Sequence, residues 1–180
     1  IEIIIGCMFS GKSSELIKIM KRYKILKKNI LAISHSIDNR YNDSKPKIVT
    51  HDKVSYDCIQ LNKLNRVKGT DNYNNADLII IEEAQFFSDL FEFVVNAADN
   101  NNKTVIVAGL DGDYKKEPFG DILRLIPHSE KVTKLEALCL MCGDGTPAHF
   151  TKRIIDNDNQ TLVGSTESYI AVCRKHFKNN

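Results

Sequence analysis

Eight consecutive residues near the start of the chain have the types and spacing needed to bind phosphate. The segment Gly6–Ser13 reads GCMFSGKS and matches the pattern G-x-x-x-x-G-K-[ST]. Its glycines let backbone N–H groups approach phosphate oxygens, and a helix starting there adds a favourable dipole. Lys12 would reach the β- and γ-phosphates, and the Ser13 hydroxyl would ligate magnesium. The alternative is that the segment is only a turn between a strand and a helix. The predicted nucleotide-binding residues are Gly6, Cys7, Met8, Phe9, Ser10, Gly11, Lys12 and Ser13.

Two carboxylates, Glu82 and Glu83, end a second apolar segment. This is where a phosphate-binding sheet places its metal-side acid. Side chains alternate along a strand, so the two glutamates need not share a role. One could hold the magnesium shell while the other deprotonates an acceptor hydroxyl. A solvated strand end is the alternative.

The cysteines near the other end of the chain have metal-ligand spacing. Cys139 and Cys142 form C-x-x-C, and Cys173 and His176 form C-x-x-H. Three thiolates and one imidazole form a complete tetrahedral ligand set for zinc, so we predict a structural zinc ion. The alternative is that the thiols bind no metal. The chain has five cysteines, and this odd number favours a metal site over a disulfide framework. A metal site with free thiols in turn predicts a reducing, cytoplasmic location.

Alternating elements predict how these groups are positioned. Ile1–Ile5, Ile30–Ser34, Leu78–Glu82 and Thr104–Ala108 read as buried strands, and Ser14–Lys28 and Phe87–Asp99 as helices, the first with Leu16, Met20, Tyr23 and Leu26 on one stripe. This order predicts an α/β fold with a parallel sheet. From about residue 136 the composition becomes polar around the cysteines. We therefore expect a nucleotide-binding domain at 1–135 and a small metal-stapled domain at 136–180.

Bulk composition limits the partners. The 180 residues are 42% hydrophobic with a net charge of +2, which argues against nucleic acid as a partner. No apolar run approaches the roughly 20 residues that cross a bilayer, so we expect neither a membrane span nor a leader. The chain starts at Ile1 inside an apolar strand, so we expect natural residues to precede it.

Aromatic residues flank the motifs and would suit a flat heterocyclic acceptor; they are Phe9, Phe86, Phe87, Tyr114, Phe119 and Tyr169.

Taken together, the motifs resemble those of the type II thymidine kinases, the family of the cellular and poxviral enzymes. The resemblance spans essentially the whole chain in the family's order. The matching segments are GCMFSGKSSEL at 6–16, IDNRY at 37–41, THD at 50–52, EEAQFF at 82–87, GLDGDYKKEPFG at 109–120, CLMC at 139–142, TKR at 151–153 and VGSTESY to CRKH at 163–176.

The resemblance implies a P-loop NTPase (RecA-like) α/β domain and a zinc-bound lasso that closes over the nucleoside. It implies ATP, Mg²⁺ and thymidine as ligands, dTTP as feedback inhibitor, and a homotetramer. By its matching position, Glu83 is similar to the family's general base, which removes the proton of the 5′-hydroxyl. The resemblance also places Lys12 and Arg40 beside the reacting groups, and Glu82 and Ser13 at the magnesium ion. The implied substrate-binding residues are Met8, Asp38, Phe86, Leu110, Tyr114, Phe119, Leu162, Val163, Gly164 and Tyr169.

Four positions depart from the usual family pattern. The family usually has proline at Cys7 and aspartate at Glu82, many members have cysteine at His176, and Tyr114 is often phenylalanine. Two rival functions stay open at this point. One is a kinase with another or a broader deoxynucleoside specificity, and the other is a non-enzymatic P-loop protein whose zinc module binds a partner.

Overall fold

A six-stranded, entirely parallel sheet forms the centre of the computed structural model, which describes residues 1–37, 46–50, 53–162, 164 and 166–178. Its order is β5-β2-β6-β7-β1-β8. The strands are β1 (Glu2–Gly6), β2 (Ile30–His35), β3 (Lys47–Val49), β4 (Ser55–Asp57), β5 (Ile59–Leu61), β6 (Leu78–Ile81), β7 (Thr104–Gly109), β8 (Lys131–Leu135), β9 (Ala137–Leu138), β10 (Pro147–Ala148), β11 (Phe150–Arg153) and β12 (Tyr169–Val172). The helices are α1 (Lys12–Ile25), α2 (Asp71–Asn75), α3 (Leu90–Asp99) and α4 (Arg174–Lys178), with 3₁₀ helices at Leu64–Val67, Ala84–Phe86 and Ile122–His128.

Helices cover both faces of this sheet, which confirms the predicted α/β architecture. Along β1, Ile3 and Ile5 face one apolar cluster with α3, while Ile4 faces a second cluster with α1. Strand residues alternate between faces and both faces are covered, so the central strands are apolar throughout. The four predicted strands are thereby confirmed to within a residue or two at each end.

Helix α1 differs from its prediction at its carboxyl end. It stops at Ile25, and Lys27 adopts a left-handed conformation with φ of 54°. Leu16 and Met20 are fully buried as predicted, but Leu26 is 68% exposed, so its assignment to the buried stripe is wrong. The chain turns to enter β2 before a further helical turn could bring Leu26 onto the sheet.

Outside the central sheet, the described residues form three antiparallel strand pairs. They are β3 with β4, β9 with β10, and β11 with β12. The last two pairs surround a third apolar cluster that contains Ala137, Ala148 and Val172. Among the described residues, no helix is long and apolar enough to cross a membrane.

Candidate functional site

The Gly6–Ser13 loop joins β1 to α1 in a conformation that depends on glycine. A Cβ atom on Gly6 would lie 2.5 Å from the carbonyl oxygen of Leu135, and Gly11 has a left-handed φ of 84°. The loop curls around Lys12, whose Nζ donates to the carbonyl oxygens of Gly6 at 3.2 Å and Cys7 at 2.8 Å. Burial lowers the pKa of Lys12, opposed by nearby acids of which Glu83 is foremost. The ammonium is thus held by the backbone of the loop, and a concave backbone of this kind can bind an anion.

Ser13 and Glu82 meet directly. The Ser13 hydroxyl donates to Oε1 of Glu82, which follows β6 and is only 6% exposed. The backbone N–H of Glu82 donates to the Ile33 carbonyl oxygen at 2.8 Å, which fixes the residue beside β2. A hydroxyl and a carboxylate brought together offer the oxygen ligands that magnesium prefers.

Glu83 is held by a residue that the sequence reasoning did not single out. Its backbone is left-handed, with φ of 52°, and its Oε2 accepts a hydrogen bond from Gln85 Nε2 at 2.7 Å. Gln85 is itself 4% exposed, and its Oε1 accepts the N–H of Leu110 at 3.0 Å. One buried amide therefore links Glu83 to the carboxyl end of β7. An uncommon left-handed φ at a non-glycine residue is often found at functional sites.

A single cavity collects most of the predicted site. It is lined by the loop, by Glu83 and by side chains that follow β7 and β11. Phe86 and Phe119 form one wall, with ring centroids 5.4 Å apart and planes at 87°. Its lining includes Met8, Phe9, Gly11, Lys12, Ser13, Glu83, Phe86, Leu110, Tyr114, Phe119, Leu162, Gly164 and Tyr169 among the predicted residues, and Gln85, Asp113, Thr151 and Gln160 among those not predicted.

Residues 157–162 lie across one side of this cavity. Tyr114 donates from its hydroxyl to the Asp158 carbonyl oxygen at 3.0 Å, and Gln160 Nε2 donates to Asp113 Oδ2 at 2.9 Å. Tyr169 is 6% exposed and donates to the Leu162 carbonyl oxygen at 3.0 Å. This polar segment is therefore bound to the main body by side chains of the β7–β8 connection and of β12.

Three thiols and one imidazole converge beyond the cavity, and together they could hold a metal ion. The ligand atoms of Cys139, Cys142, Cys173 and His176 all lie within 4.8 Å of one another. Burial opposes ionisation of Cys139, yet hydrogen bonds from the Cys173 N–H and the His176 ring lower its pKa to about 6. Burial raises the pKa of Cys142 to about 11, with the neighbouring thiols adding to the effect. Because the thiolates repel one another, a cation stabilises the fully ionised set.

These four residues, Cys139, Cys142, Cys173 and His176, are called the metal-ligand cluster below, and the cluster packs against the Gly6–Ser13 loop. Cys7 is 2% exposed within the same apolar cluster as Cys139 and Ala148, and its thiol donates to the Ala148 carbonyl oxygen at 3.4 Å. Burial raises the pKa of Cys7, which keeps it a neutral thiol. The Thr151 hydroxyl accepts the N–H of Met8 at 3.0 Å.

The structure thus places most of the expected residues together. Asp38, Arg40 and Val163 lie outside the described residues, as do the rest of segment 38–45 and residues 51–52. Gln85 and Thr151 fall within the segments EEAQFF and TKR, so the signal that could have identified them was a polar residue inside a matching segment.

The chain is similar in sequence to known proteins over nearly its whole length. The sequence profile described as "Thymidine kinase" matches residues 1–177. The chain is 46% identical to the thymidine kinase of Yaba monkey tumor virus, covering 100% of this chain and 96% of the relative. It is 43% identical to thymidine kinase 1 of Dictyostelium discoideum, covering 97% of this chain and 75% of the relative. It is 42% identical to thymidine kinase a of Arabidopsis thaliana, covering 100% of this chain and 75% of the relative. The sequence match over nearly every residue places this chain in the thymidine kinase family.

Proposed function

We propose that this chain transfers the γ-phosphate of ATP to the 5′-hydroxyl of thymidine, with Glu83 as general base. The observation that carries the proposal is the shared cavity, whose lining includes Lys12, Ser13 and Glu83 together with several aromatic rings. Family membership supports the same reaction. Phosphoryl transfer needs little covalent chemistry from the protein and depends mainly on positioning and charge stabilisation, which this arrangement can supply.

Each side of the cavity has a distinct task in this proposal. The Gly6–Ser13 loop and Lys12 bind the phosphates, and Ser13 with Glu82 would hold magnesium, which neutralises charge on the transferred group. Glu83 accepts the proton of the acceptor hydroxyl, with Arg40 beside that hydroxyl and Asp38 near the sugar. The base lies among Met8, Phe86, Leu110, Tyr114, Phe119 and Tyr169, and the backbone of 162–164 reads its polar edge.

Zinc fits the proposed metal cluster by donor chemistry and spacing. Four ligands about 2.0–2.3 Å from an ion in a tetrahedron lie roughly 3.3–3.8 Å apart. Sγ of Cys142 lies 3.8 Å from that of Cys173 and 3.3 Å from His176 Nδ1, and His176 Nδ1 lies 3.5 Å from the Sγ atoms of both Cys139 and Cys173. Four protein ligands leave no open position, so the ion would be structural and would stabilise the small domain proposed at 136–180.

The proposal has three further features, which are supported by the resemblance to the thymidine kinase family. They are inhibition by dTTP at the thymidine site, assembly as a homotetramer, and a cytoplasmic location without nucleic acid or membrane partners. The thiol-rich cluster is typical of reducing compartments.

A nucleoside assay tests the proposed function. Purified protein with Mg-ATP is offered thymidine, deoxycytidine and deoxyguanosine, and the monophosphates are measured. We expect strong preference for thymidine. Equal rates with deoxycytidine would favour a broad pyrimidine kinase, and no product with any nucleoside would favour a non-enzymatic role.

Substitution of Glu83 tests its role as base. Glu83→Gln keeps the shape of the side chain but cannot accept the proton, so we expect kcat to fall about 10²–10⁴-fold with binding of ATP and thymidine retained. Glu92→Gln, at an exposed position on α3, is the matched control and should leave kcat unchanged. A Glu83→Gln enzyme with wild-type kcat would mean that another group removes the proton.

A further inference from the structure

One arginine outside the cavity donates three of the hydrogen bonds that hold residues 157–162. Arg153 ends β11 and pairs in register with Tyr169 of β12. It does not itself line the cavity, whereas Gln160, Leu162 and Tyr169 do. Anything Arg153 does for a ligand in the cavity must therefore act through these neighbours.

The guanidinium group donates four hydrogen bonds to this region. Nη1 donates to the carbonyl oxygens of Asn157 at 2.5 Å and Asn159 at 2.6 Å, and Nη2 donates to the Gln160 carbonyl oxygen at 3.2 Å. Nη2 also donates to the Tyr169 hydroxyl at 2.7 Å, and that hydroxyl donates on to the Leu162 carbonyl oxygen. One cation thus binds three carbonyl groups of this polar segment directly and a fourth through the Tyr169 hydroxyl.

The same group lies over two aromatic rings that line the cavity. Its central carbon is 3.7 Å from the ring centroid of Tyr114 and 5.2 Å from that of Tyr169. Tyr114 in turn donates to the Asp158 carbonyl oxygen. The position of each ring is therefore coupled to the position of the segment through a single planar cation.

A lysine could not reproduce this arrangement. An ammonium group has three donors in a compact cluster, whereas the guanidinium has five in a flat fork that can stack on a ring while donating at its edge. Substituting lysine keeps the charge and the aliphatic stem but removes the fork.

We propose that Arg153 is a positioning residue for the nucleoside site, which sets residues 157–162 and the rings of Tyr114 and Tyr169 in place before the nucleoside binds. The inference rests on the proposed function, since it assumes that these groups surround the acceptor nucleoside. It assigns Arg153 no contact with substrate. Preorganisation of this wall reduces the ordering cost of binding, so its loss weakens nucleoside binding more than ATP binding.

The test compares Arg153→Lys with the wild-type enzyme in steady-state kinetics. Loss of charge-assisted hydrogen bonds to three carbonyls should raise KM for thymidine about tenfold or more. KM for ATP should stay within about twofold, because the hydrogen bonds of Arg153 go to residues 157–160 and to Tyr169. Metal content and Tm should match the wild type. A thymidine KM within about twofold of wild type would overturn the proposal, as would an equal rise for both substrates with a fall in Tm.

Arg124→Lys is the matched control. Arg124 also stacks on an aromatic ring, with its central carbon 4.3 Å from the Phe91 centroid, and donates to Asp121 at 3.1 Å, but it does not line the cavity. The same substitution there should leave both KM values unchanged.

Limited proteolysis separates failure of this inference from failure of the proposed function. An endoproteinase that cuts before aspartate can cleave at Asp156 and Asp158, and the substitution creates no new site for it. Without nucleoside, Arg153→Lys should be cut about tenfold faster than wild type in this segment, since the segment opens more often. Equal cleavage would overturn the inference even if thymidine is the substrate. If Arg153→Lys does not fold, Arg153→Gln, which is neutral, serves in both assays.

Discussion

Replacing Gln85 by methionine should weaken both folding and turnover. Methionine has a similar unbranched length, so packing is largely conserved while the amide is lost. The change removes the hydrogen bond to Glu83 at 2.7 Å and leaves the Leu110 N–H, paired at 3.0 Å, without its acceptor. A bond to a carboxylate contributes about 1.5–3 kcal/mol and an unpaired buried N–H costs about 1–3 kcal/mol. Glu83 is half-buried and can recover water, so we expect the free energy of unfolding to fall by about 2–4 kcal/mol.

Turnover should fall as well, because one carboxylate oxygen of Glu83 loses its anchor. A misplaced base forfeits part of the factor of about 10²–10⁴ from general-base catalysis, so we expect kcat to drop about tenfold or more. Urea unfolding and steady-state kinetics are the assays, and Gln60→Met at an exposed position of β5 is the control. Reduced stability with wild-type kcat would refute the idea that Gln85 positions Glu83. Unchanged stability would refute the two hydrogen bonds themselves.

Two further predictions concern the ions. Glu82→Gln should raise the magnesium concentration needed for half-maximal activity, because Glu82 meets Ser13 where the ion would bind; an unchanged magnesium titration would make Glu82 purely structural. Cys142→Ser should abolish the binding of one zinc ion per chain, as measured by elemental analysis. The same substitution should raise KM for ATP, because the metal-ligand cluster packs on the Gly6–Ser13 loop. Cys58→Ser, outside the cluster, is the control, and full zinc content in Cys142→Ser would contradict the assigned ligand set.

Much of the sheet was accessible from the sequence because its central strands are buried on both faces. Such strands appear as continuous apolar segments, and Ile79–Ile81 is fully buried at every position. The edge strands gave no such signal. Lys131–Leu135 is β8, the neighbour of β1, yet its residues are exposed or half-buried and its sequence is mixed. Its pairing is decided by the available edge of β1, which is a tertiary effect that local sequence does not encode.

Within the site, single residues with strong chemical character were predictable and their supports were not. Lys12, Ser13 and the cysteine ligands belong to patterns with fixed spacing. Gln85 joins Glu83, two residues before it, to Leu110, which lies close to it only in the folded chain, and a glutamine has no spacing rule that marks such a role. Thr151 is similar, because its acceptor role for Met8 depends on β11 lying beside the loop.

The contacts of the Gly6–Ser13 loop imply that the two ends of the chain form one functional unit. The loop takes its curvature from its own glycines, but the Met8 N–H and the Cys7 thiol both donate to groups at 148–151. Those groups belong to the strands that surround the metal-ligand cluster, and β11 continues from them to Arg153. A change in the cluster can therefore reach the proposed phosphate side through Met8 and the proposed nucleoside side through Arg153. Because both routes begin at the same short strand, loss of the metal should impair both substrates, whereas loss of the Arg153 fork should impair only the nucleoside.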